Sequence, residues 1–146
     1  MPRPPLPTTA LDLVRRAQPA VMAVVRPDGS PVTAATWFVW EDDDSPTGGH
    51  LLVNLEAGRK RLEHLRGNPQ VSLTVLDDDW YTHVTLLGRV VELRDDADLS
   101  DTDLIARHYT GHAYPVRDRP RVTARIDVDR WTAWGALRSL VDNTAR

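Results

Sequence analysis

Short apolar segments separated by turn residues recur along most of this chain, and this pattern does most to limit the folds open to it. Each segment alternates in polarity or is rich in β-branched residues, as expected for a half-buried strand. The predicted strands cover residues 21–25, 31–40, 50–55, 71–76, 80–93 and 121–128. Strands and helices do not alternate regularly, which argues against a doubly wound parallel sheet. The sequence therefore predicts a mainly β protein, an antiparallel barrel of about six strands.

Two to three short helices complete the predicted fold. A capping-type segment at 9–12 predicts a helix that ends near residue 17, a basic helix follows the third strand, and another helix ends near Tyr109. The tail, residues 136–146, has a weak helical pattern. Gly88, inside the long fifth strand, predicts a bulge or a barrel corner. Proline-rich residues 1–10 predict a flexible N-terminal arm, and residues 11–146 a single domain.

Composition argues against several functional classes. The 146 residues carry a net charge of −3 and have a pI of about 5.9, which argues against general nucleic-acid binding. Without cysteine, the chain has no disulfide, thiolate zinc site or cysteine nucleophile. No apolar stretch has the length of a membrane span, and the N-terminus lacks the apolar core of a signal peptide. These features predict a cytoplasmic protein with no membrane span.

A run of three cations, Arg59-Lys60-Arg61, stands where the third strand has ended and a short helix begins. Cations normally lie at the other end of a helix, because the helix dipole is positive at its N-terminus. Cations at the positive end repel one another unless an anion lies between them, and helix N-terminal amides also bind anions. The run predicts a phosphate-binding site for a small cofactor; the alternative interpretation is a solvated basic helix face.

Other motifs indicate no separate chemistry. His108 and His112 have the spacing of a helical zinc pair, but Gly111 interrupts the helix and no third ligand is evident, so we predict no metal site. Nucleophile-elbow and glycine-rich dinucleotide motifs are absent from the sequence. The five tryptophans suit core and interface packing, and the functional alternative is that Trp37 or Trp80 stacks on a flat ring.

Several segments, taken in order, carry a family resemblance that spans about residues 21–135. These segments are Asp28–Pro31, Trp37–Trp40, Gly58–Arg61, His64–Leu73, Gly88–Val90, Ala106–Gly111 and Tyr114-Pro115. In this order and at this spacing, the chain resembles the pyridoxamine 5'-phosphate oxidase-like split-barrel family. Within that family it is most similar to the actinobacterial flavin/deazaflavin oxidoreductases that use coenzyme F-420. The resemblance implies a six-stranded antiparallel split β-barrel, the FMN-binding split barrel, and a homodimer with cofactor sites at the subunit interface.

The resemblance also implies which residues bind the cofactor. Arg59 and Arg61 align with cations that contact the phosphate in the family, and Lys60 lies between them. The residues predicted to place the ring, with the possible stacking residue Trp37 included, are Ala35, Thr36, Trp37, Val53, Asn54 and Trp80. No catalytic residue is assigned, and Tyr109, Tyr114 and His83 stay open as candidate proton donors.

The functional hypothesis is an oxidoreductase that uses reduced coenzyme F-420, a deazaflavin, to transfer a hydride to a small conjugated acceptor. The alternatives are an FMN-dependent oxidoreductase, a non-catalytic protein that binds a flavin or F-420, and, more weakly, a dimeric interaction domain without a cofactor. The stretch Arg117, Arg119, Arg121 could hold the anionic tail of F-420, and a solvated loop explains it equally well.

Overall fold

Seven strands and four short α-helices are present in the computed structural model, which describes the backbone of residues 1–144 and the side chains of residues 1–142. The strands are β1 (Ala20–Val25), β2 (Pro31–Thr36), β3 (Val39–Asp42), β4 (Gly49–Glu56), β5 (Gln70–Leu76), β6 (His83–Asp95) and β7 (Arg121–Trp134). The helices are α1 (Thr8–Arg15), α2 (Lys60–Gly67), α3 (Ser100–Thr110) and α4 (Arg138–Thr144). A 3-10 turn, Gly135–Leu137, precedes α4.

The seven strands pair antiparallel in one sheet, in the order β2-β1-β5-β6-β7-β4-β3. The two edge strands, β2 and β3, are consecutive in the chain, and only Trp37 and Phe38 separate them. A sheet whose two edges are joined by so short a link must curl round on itself. The sheet is therefore a barrel with a split between β2 and β3, which confirms the predicted mainly β split barrel.

The strand count differs from the prediction at this split. The sequence predicts one strand over residues 31–40, and the structure divides it into β2 and β3. Phe38 is fully buried, and its backbone N–H donates to the hydroxyl of Tyr109, 3.3 Å away on α3, instead of to a neighbouring strand. The division depends on a partner 71 residues along the chain, so a local strand pattern does not contain it.

Gly88 lies at a bulge between the two longest strands, as the sequence predicts. The register of β6 against β7 shifts between Leu87 and Gly88, and again between Val90 and Glu92. A Cβ atom on Gly88 would overlap the backbone carbonyl oxygen of Asp127. Glycine is required there because the two backbones approach too closely for any side chain.

The ends of the long strands also differ from the prediction. β6 begins at His83, because the residues before it form a turn in which the Asp77 N–H donates to the Thr82 carbonyl at 2.9 Å. Trp80 consequently lies in a turn instead of in a strand. β7 continues to Trp134, beyond the predicted end at residue 128.

The barrel core is formed by the inward-facing residues of β1, β4, β5 and β6, as the period of two in a strand requires. At most 2% of each of the following side chains is exposed: Met22, Val24, Leu51, Val53, Leu55, Leu73, Val75 and Leu86. Trp131 on β7 is fully buried in the same core.

The N-terminal segment, residues 1–10, lies against the barrel in the structure. Its carbonyl groups accept two bonds from Trp131: the backbone N–H donates to Pro2 at 3.0 Å and the indole N–H to Arg3 at 3.3 Å. Leu6 is buried, and α1 begins within the segment at Thr8. The segment predicted as a flexible arm therefore makes these contacts with the core.

The other helices lie close to their predicted positions. α2 and α3 occupy the predicted basic segment and the predicted segment before residue 109. The predicted tail helix is present as the 3-10 turn and α4, and residues 145–146 lie outside the described residues. Across residues 1–144, none of the helices has the length and apolar character needed to cross a bilayer.

Candidate functional site

A cavity of about 580 Å³ opens beside the split in the barrel. It is lined by the α1–β1 connection, the end of β2, the second half of β4, helix α3 and the start of β7. Cavities of this volume are typical of small-molecule and cofactor sites. We call it the barrel cavity.

Four of the predicted ring-contacting residues line this cavity, namely Ala35, Thr36, Trp37 and Asn54. The other two do not. Val53 is fully buried in the barrel core, and Trp80 is 67% exposed in the β5–β6 turn. The structure thus brings β2 and the polar residue of β4 together around one cavity, as the resemblance implies for these two strands.

Trp37 and Tyr109 form an aromatic wall of the barrel cavity. Their ring centroids are 5.1 Å apart and the ring planes are within 12° of parallel. The Tyr109 hydroxyl donates to the Gln18 carbonyl at 2.8 Å and accepts the N–H of Phe38. Burial raises the pKa of Tyr109 to about 12. The hydroxyl proton of Tyr109 is therefore held by a backbone carbonyl in this structure, and the ring forms part of the wall.

The Asn54 amide is held by four polar partners at the floor of the cavity. Its Nδ2 donates to the Thr123 hydroxyl at 3.1 Å and to Asp96 Oδ2 at 3.3 Å. Its Oδ1 accepts the Nε–H of Arg121 at 2.6 Å and lies 3.1 Å from the Thr102 hydroxyl. Both donors of this amide and one acceptor position of its oxygen are therefore occupied by protein groups.

Asp96 holds helix α3 against this floor. The carboxylate is only 3% exposed and accepts the backbone N–H groups of Asp101 (3.1 Å) and Thr102 (2.8 Å) and the Thr102 hydroxyl (2.6 Å). Leu99, the residue before the helix, has the left-handed φ of 61°. Asp96 thus satisfies amides at the start of α3 that have no partner within the helix.

The sequence prediction missed Asp96 and Thr102 as parts of the site. The only local signal is an acidic segment, Asp95-Asp96, that precedes a helix, and such carboxylates commonly cap a helix. Their contact with Asn54 joins residues 42 and 48 positions apart, which a sequence pattern does not reveal.

The basic run at the start of α2 lies outside the barrel cavity. Arg59 precedes the helix and its Nε is 3.8 Å from Glu56 Oε2. Lys60 is largely exposed and its Nζ is 3.4 Å from Glu63 Oε2. Exposed pairs of this kind contribute about 0–1 kcal/mol, so neither cation is strongly bound to its carboxylate.

Arg61 differs from its two neighbours, because it has no carboxylate partner among the described residues and its Nη1 is buried without a hydrogen bond. Burial and the positive charge of Arg59 lower the pKa of this guanidinium. Buried donors almost always have a partner, so an unbonded guanidinium nitrogen beside a second cation is the environment that an anion would stabilise.

A second cavity of about 480 Å³ adjoins the first, with Arg121 in the wall of both. Arg117 and Arg119 also line it, so the structure brings together the arginine-rich stretch of the sequence. Arg117 Nη1 is 2.9 Å from Asp103 Oδ1, and this pair holds the pKa of Asp103 below its ordinary value. Arg119 is 3.6 Å from Glu56. The acidic residues Asp95 and Asp118 contribute to the same wall.

Of the two remaining candidate proton donors, Tyr114 and His83, the structure places only Tyr114 at the barrel cavity. Tyr114 lines the barrel cavity, with the Arg121 guanidinium 4.9 Å from its ring centroid. His83 lies outside the lining, and its Nδ1 is 2.9 Å from the Tyr81 carbonyl. In the described part of the chain, no three His, Cys, Asp or Glu side chains are grouped as a metal site would require.

An antiparallel split barrel with an aromatic-walled cavity beside the split defines the class of this protein. Residues 6–135 match the family model described as pyridoxamine 5'-phosphate oxidase. The chain belongs to this family. No curated protein matches the chain in sequence.

Solved structures of low sequence identity share the fold. A protein described as an F420 reductase has a TM-score of 0.74 and 24% identity, with 87% of this chain and 98% of that chain covered. A conserved hypothetical protein from Mycobacterium tuberculosis has a TM-score of 0.65 and 22% identity over 92% and 88% of the two chains. General Stress Protein 26 from Bacillus anthracis has a TM-score of 0.62 and 17% identity over 86% and 90%. These likenesses establish the fold, and function must be argued from the site.

Proposed function

We propose that this protein is an oxidoreductase that uses coenzyme F-420 to reduce a small conjugated acceptor. The observation that carries the proposal is the barrel cavity, in which Trp37 and Tyr109 form a flat aromatic wall beside β2 and Asn54. Support for the deazaflavin comes from the similarity in fold to a protein described as an F420 reductase. When bound, the cofactor supplies the hydride, and the acceptor takes up that hydride and a proton.

The side chains fit a ligand with a flat ring and a phosphate. Ala35, Thr36 and Trp37 would position the ring, with Asn54 forming the floor. Val53, next to Asn54 on β4, is buried in the core, and Trp80 is exposed in the β5–β6 turn.

The phosphate would bind to the basic run outside the cavity. Arg61 Nη1 is a buried donor without a partner among the described residues, Arg59 lies close enough to repel it, and Lys60 is largely exposed. An anion held by these three side chains would relieve both the repulsion and the unbonded donor. A homodimer, with each copy closing the site of the other, is part of this proposal, as is a cytoplasmic location.

FMN is the alternative cofactor, because it also combines a flat ring with a phosphate and the family is described by an oxidase name. A non-catalytic protein that binds a flavin or F-420 is the alternative function. Turnover of an artificial acceptor by the reduced cofactor separates an enzyme from a binding protein.

The double variant Arg59→Glu, Arg61→Glu tests the phosphate assignment. The purified protein is titrated with F-420 and, separately, with FMN, and tryptophan fluorescence reports binding. We expect wild type to bind F-420 more tightly than FMN. The double variant should bind F-420 at least tenfold more weakly than wild type, since charge-assisted bonds contribute about 1.5–3 kcal/mol each.

Arg66→Glu is the matched control, because Arg66 is an exposed cation on the same helix. We expect its affinity to be close to that of wild type. Unchanged F-420 affinity in the double variant would contradict the phosphate assignment, tighter binding of FMN would identify a flavin protein, and binding of neither would contradict the cofactor proposal.

A further inference from the structure

We propose that Arg121 binds a carboxylate of the ligand that occupies the barrel cavity. The inference depends on the proposed function only in treating that cavity as a ligand site, and it adds a chemical class to the ligand. Of the three arginines 117, 119 and 121, the proposal gives this role to Arg121 alone.

Two contacts fix the plane of the Arg121 guanidinium at the junction of the two cavities. Its Nε donates to Asn54 Oδ1 at 2.6 Å, and its central carbon is 4.9 Å from the centroid of the Tyr114 ring. Asn54 is itself held by Asp96 and Thr123. The cation is therefore oriented before any ligand arrives, which lowers the entropic cost of binding.

Its charge, in contrast, is not neutralised by any carboxylate of the described residues. Arg117 and Arg119 line the second cavity with Arg121, and each has a carboxylate partner, Asp103 at 2.9 Å and Glu56 at 3.6 Å. The carboxylate of Asp96, which also lines the second cavity, is occupied by amide and hydroxyl donors.

The η nitrogens of Arg121 also have no hydrogen-bond acceptor among residues 1–142, because the only side-chain bond of Arg121 there is that of its Nε. Because these donors have no protein partner in that part of the chain and are not among the buried unpartnered atoms, they are open to solvent and accessible to a ligand. Arginine presents these donors as a planar fork that matches a carboxylate in a bidentate arrangement.

The rest of the cavity wall indicates the shape of the ligand. Apart from the Asn54 network, the lining is mainly apolar, with Trp37, Tyr109 and Ile105 among its larger side chains. A flat apolar ring with one carboxylate complements this wall. The carboxylate could belong to the acceptor or to the glutamate tail of F-420, and the experiment below distinguishes these sources.

The test compares 2-naphthoate with 2-naphthamide, which share a ring and differ in charge, by calorimetric titration of the full chain. For wild type we expect naphthoate to bind about tenfold more tightly than naphthamide, as one charge-assisted contact would give. We expect this preference to disappear in Arg121→Gln and in Arg121→Met, and to persist in Arg121→Lys. Arg119→Gln is the control and keeps the preference, because Arg119 contacts the second cavity only.

Circular dichroism and thermal unfolding show whether each variant is folded. If Arg121→Gln does not fold, Arg121→Met serves as the neutral variant, and the reverse also holds. An equal preference in wild type and a folded neutral variant would overturn the proposal, as would absence of naphthoate binding to wild type. Loss of the preference in Arg119→Gln would overturn the choice of Arg121.

Titration with F-420 identifies the source of the carboxylate. If F-420 binds Arg121→Gln more weakly and displaces naphthoate from wild type, the cofactor tail supplies it. If F-420 affinity is unchanged and naphthoate still binds beside it, the acceptor supplies it. Failure of F-420 and FMN to bind would contradict the proposed function alone, because the naphthoate preference is measured without them.

Discussion

Tyr109 uses its ring and its hydroxyl for two different purposes. The ring stacks on Trp37, and the hydroxyl joins the Gln18 carbonyl to the N–H of Phe38 at the split. Tyr109→Phe keeps the stack and removes both bonds, so we expect the free energy of unfolding to fall by about 1–2 kcal/mol, measured by urea denaturation. Ligand affinity should change by less than about twofold, because the aromatic wall stays in place.

The raised pKa of Tyr109 predicts that the stability of the fold falls at alkaline pH. The pKa of Tyr109 is about 12 in the folded protein against an ordinary value of 10.0. This contribution to stability is therefore complete below pH 10 and is lost as the pH rises towards 12. Tyr109→Phe should lack this decline, whereas Tyr81→Phe, in an exposed turn, should retain it. If Tyr109→Phe instead loses turnover and keeps the stability of wild type, Tyr109 is a proton donor.

At the scale of one element, helix α3 depends on a carboxylate that lies before it. Asp96 accepts two backbone N–H groups of the helix and the Thr102 hydroxyl while it is almost completely buried. Asp96→Ala leaves these donors unbonded, so we expect a loss of about 2–4 kcal/mol in the free energy of unfolding. Asp98→Ala is the control: Asp98 is exposed and accepts the Ser100 N–H, and its removal should cost about 1 kcal/mol or less.

The comparison is made by urea denaturation of both variants beside wild type. Since α3 also forms a wall of the barrel cavity, Asp96→Ala should weaken F-420 binding as well, and Asp98→Ala should not. Equal losses of stability in the two variants would contradict the role given to Asp96.

Elements that depend on neighbouring residues were predictable, and those that depend on distant ones were not. The turn after β1 follows from Asp28-Gly29, since Gly29 has a φ of 87° and the Arg26 N–H donates to the Ser30 carbonyl. The end of α2 at Gly67 was also predictable, because Pro69 cannot continue the helix, although Asn68 ends it in an extended conformation and Gly67 is not left-handed. In contrast, the split at Phe38 depends on Tyr109 and was missed.

The candidate site divides in the same way. Ala35, Thr36, Trp37 and Asn54 were predicted from a resemblance and line one cavity. Asp96, Thr102 and the orientation of Arg121 depend on contacts between distant segments, so no single stretch of sequence contains them.

For the molecule as a whole, one outer face of the barrel suits association with a second copy. Val21 on β1 and Ala35 on β2 are paired neighbours and both are exposed. Val21 is 37% exposed and Trp37, at the end of β2, is 41% exposed. This face continues to the mouth of the barrel cavity, because Ala35 and Trp37 line it. A second copy on this face would cover the cavity from outside, as the proposed homodimer requires.

Val21→Glu tests this arrangement. We expect wild type to sediment as a dimer at micromolar concentration, and the variant as a monomer, because a carboxylate buried against an apolar face costs several kcal/mol. The monomer itself should stay folded, since Val21 is partly exposed and surface substitutions usually change stability by about 0.5 kcal/mol or less.

Val91→Glu is the control, because Val91 is 44% exposed on β6, away from β1 and β2 in the sheet order. A wild-type monomer, or equal dissociation of both variants, would contradict the choice of this face. If Val21→Glu is monomeric and also binds F-420 more weakly, the second copy forms part of the cofactor site.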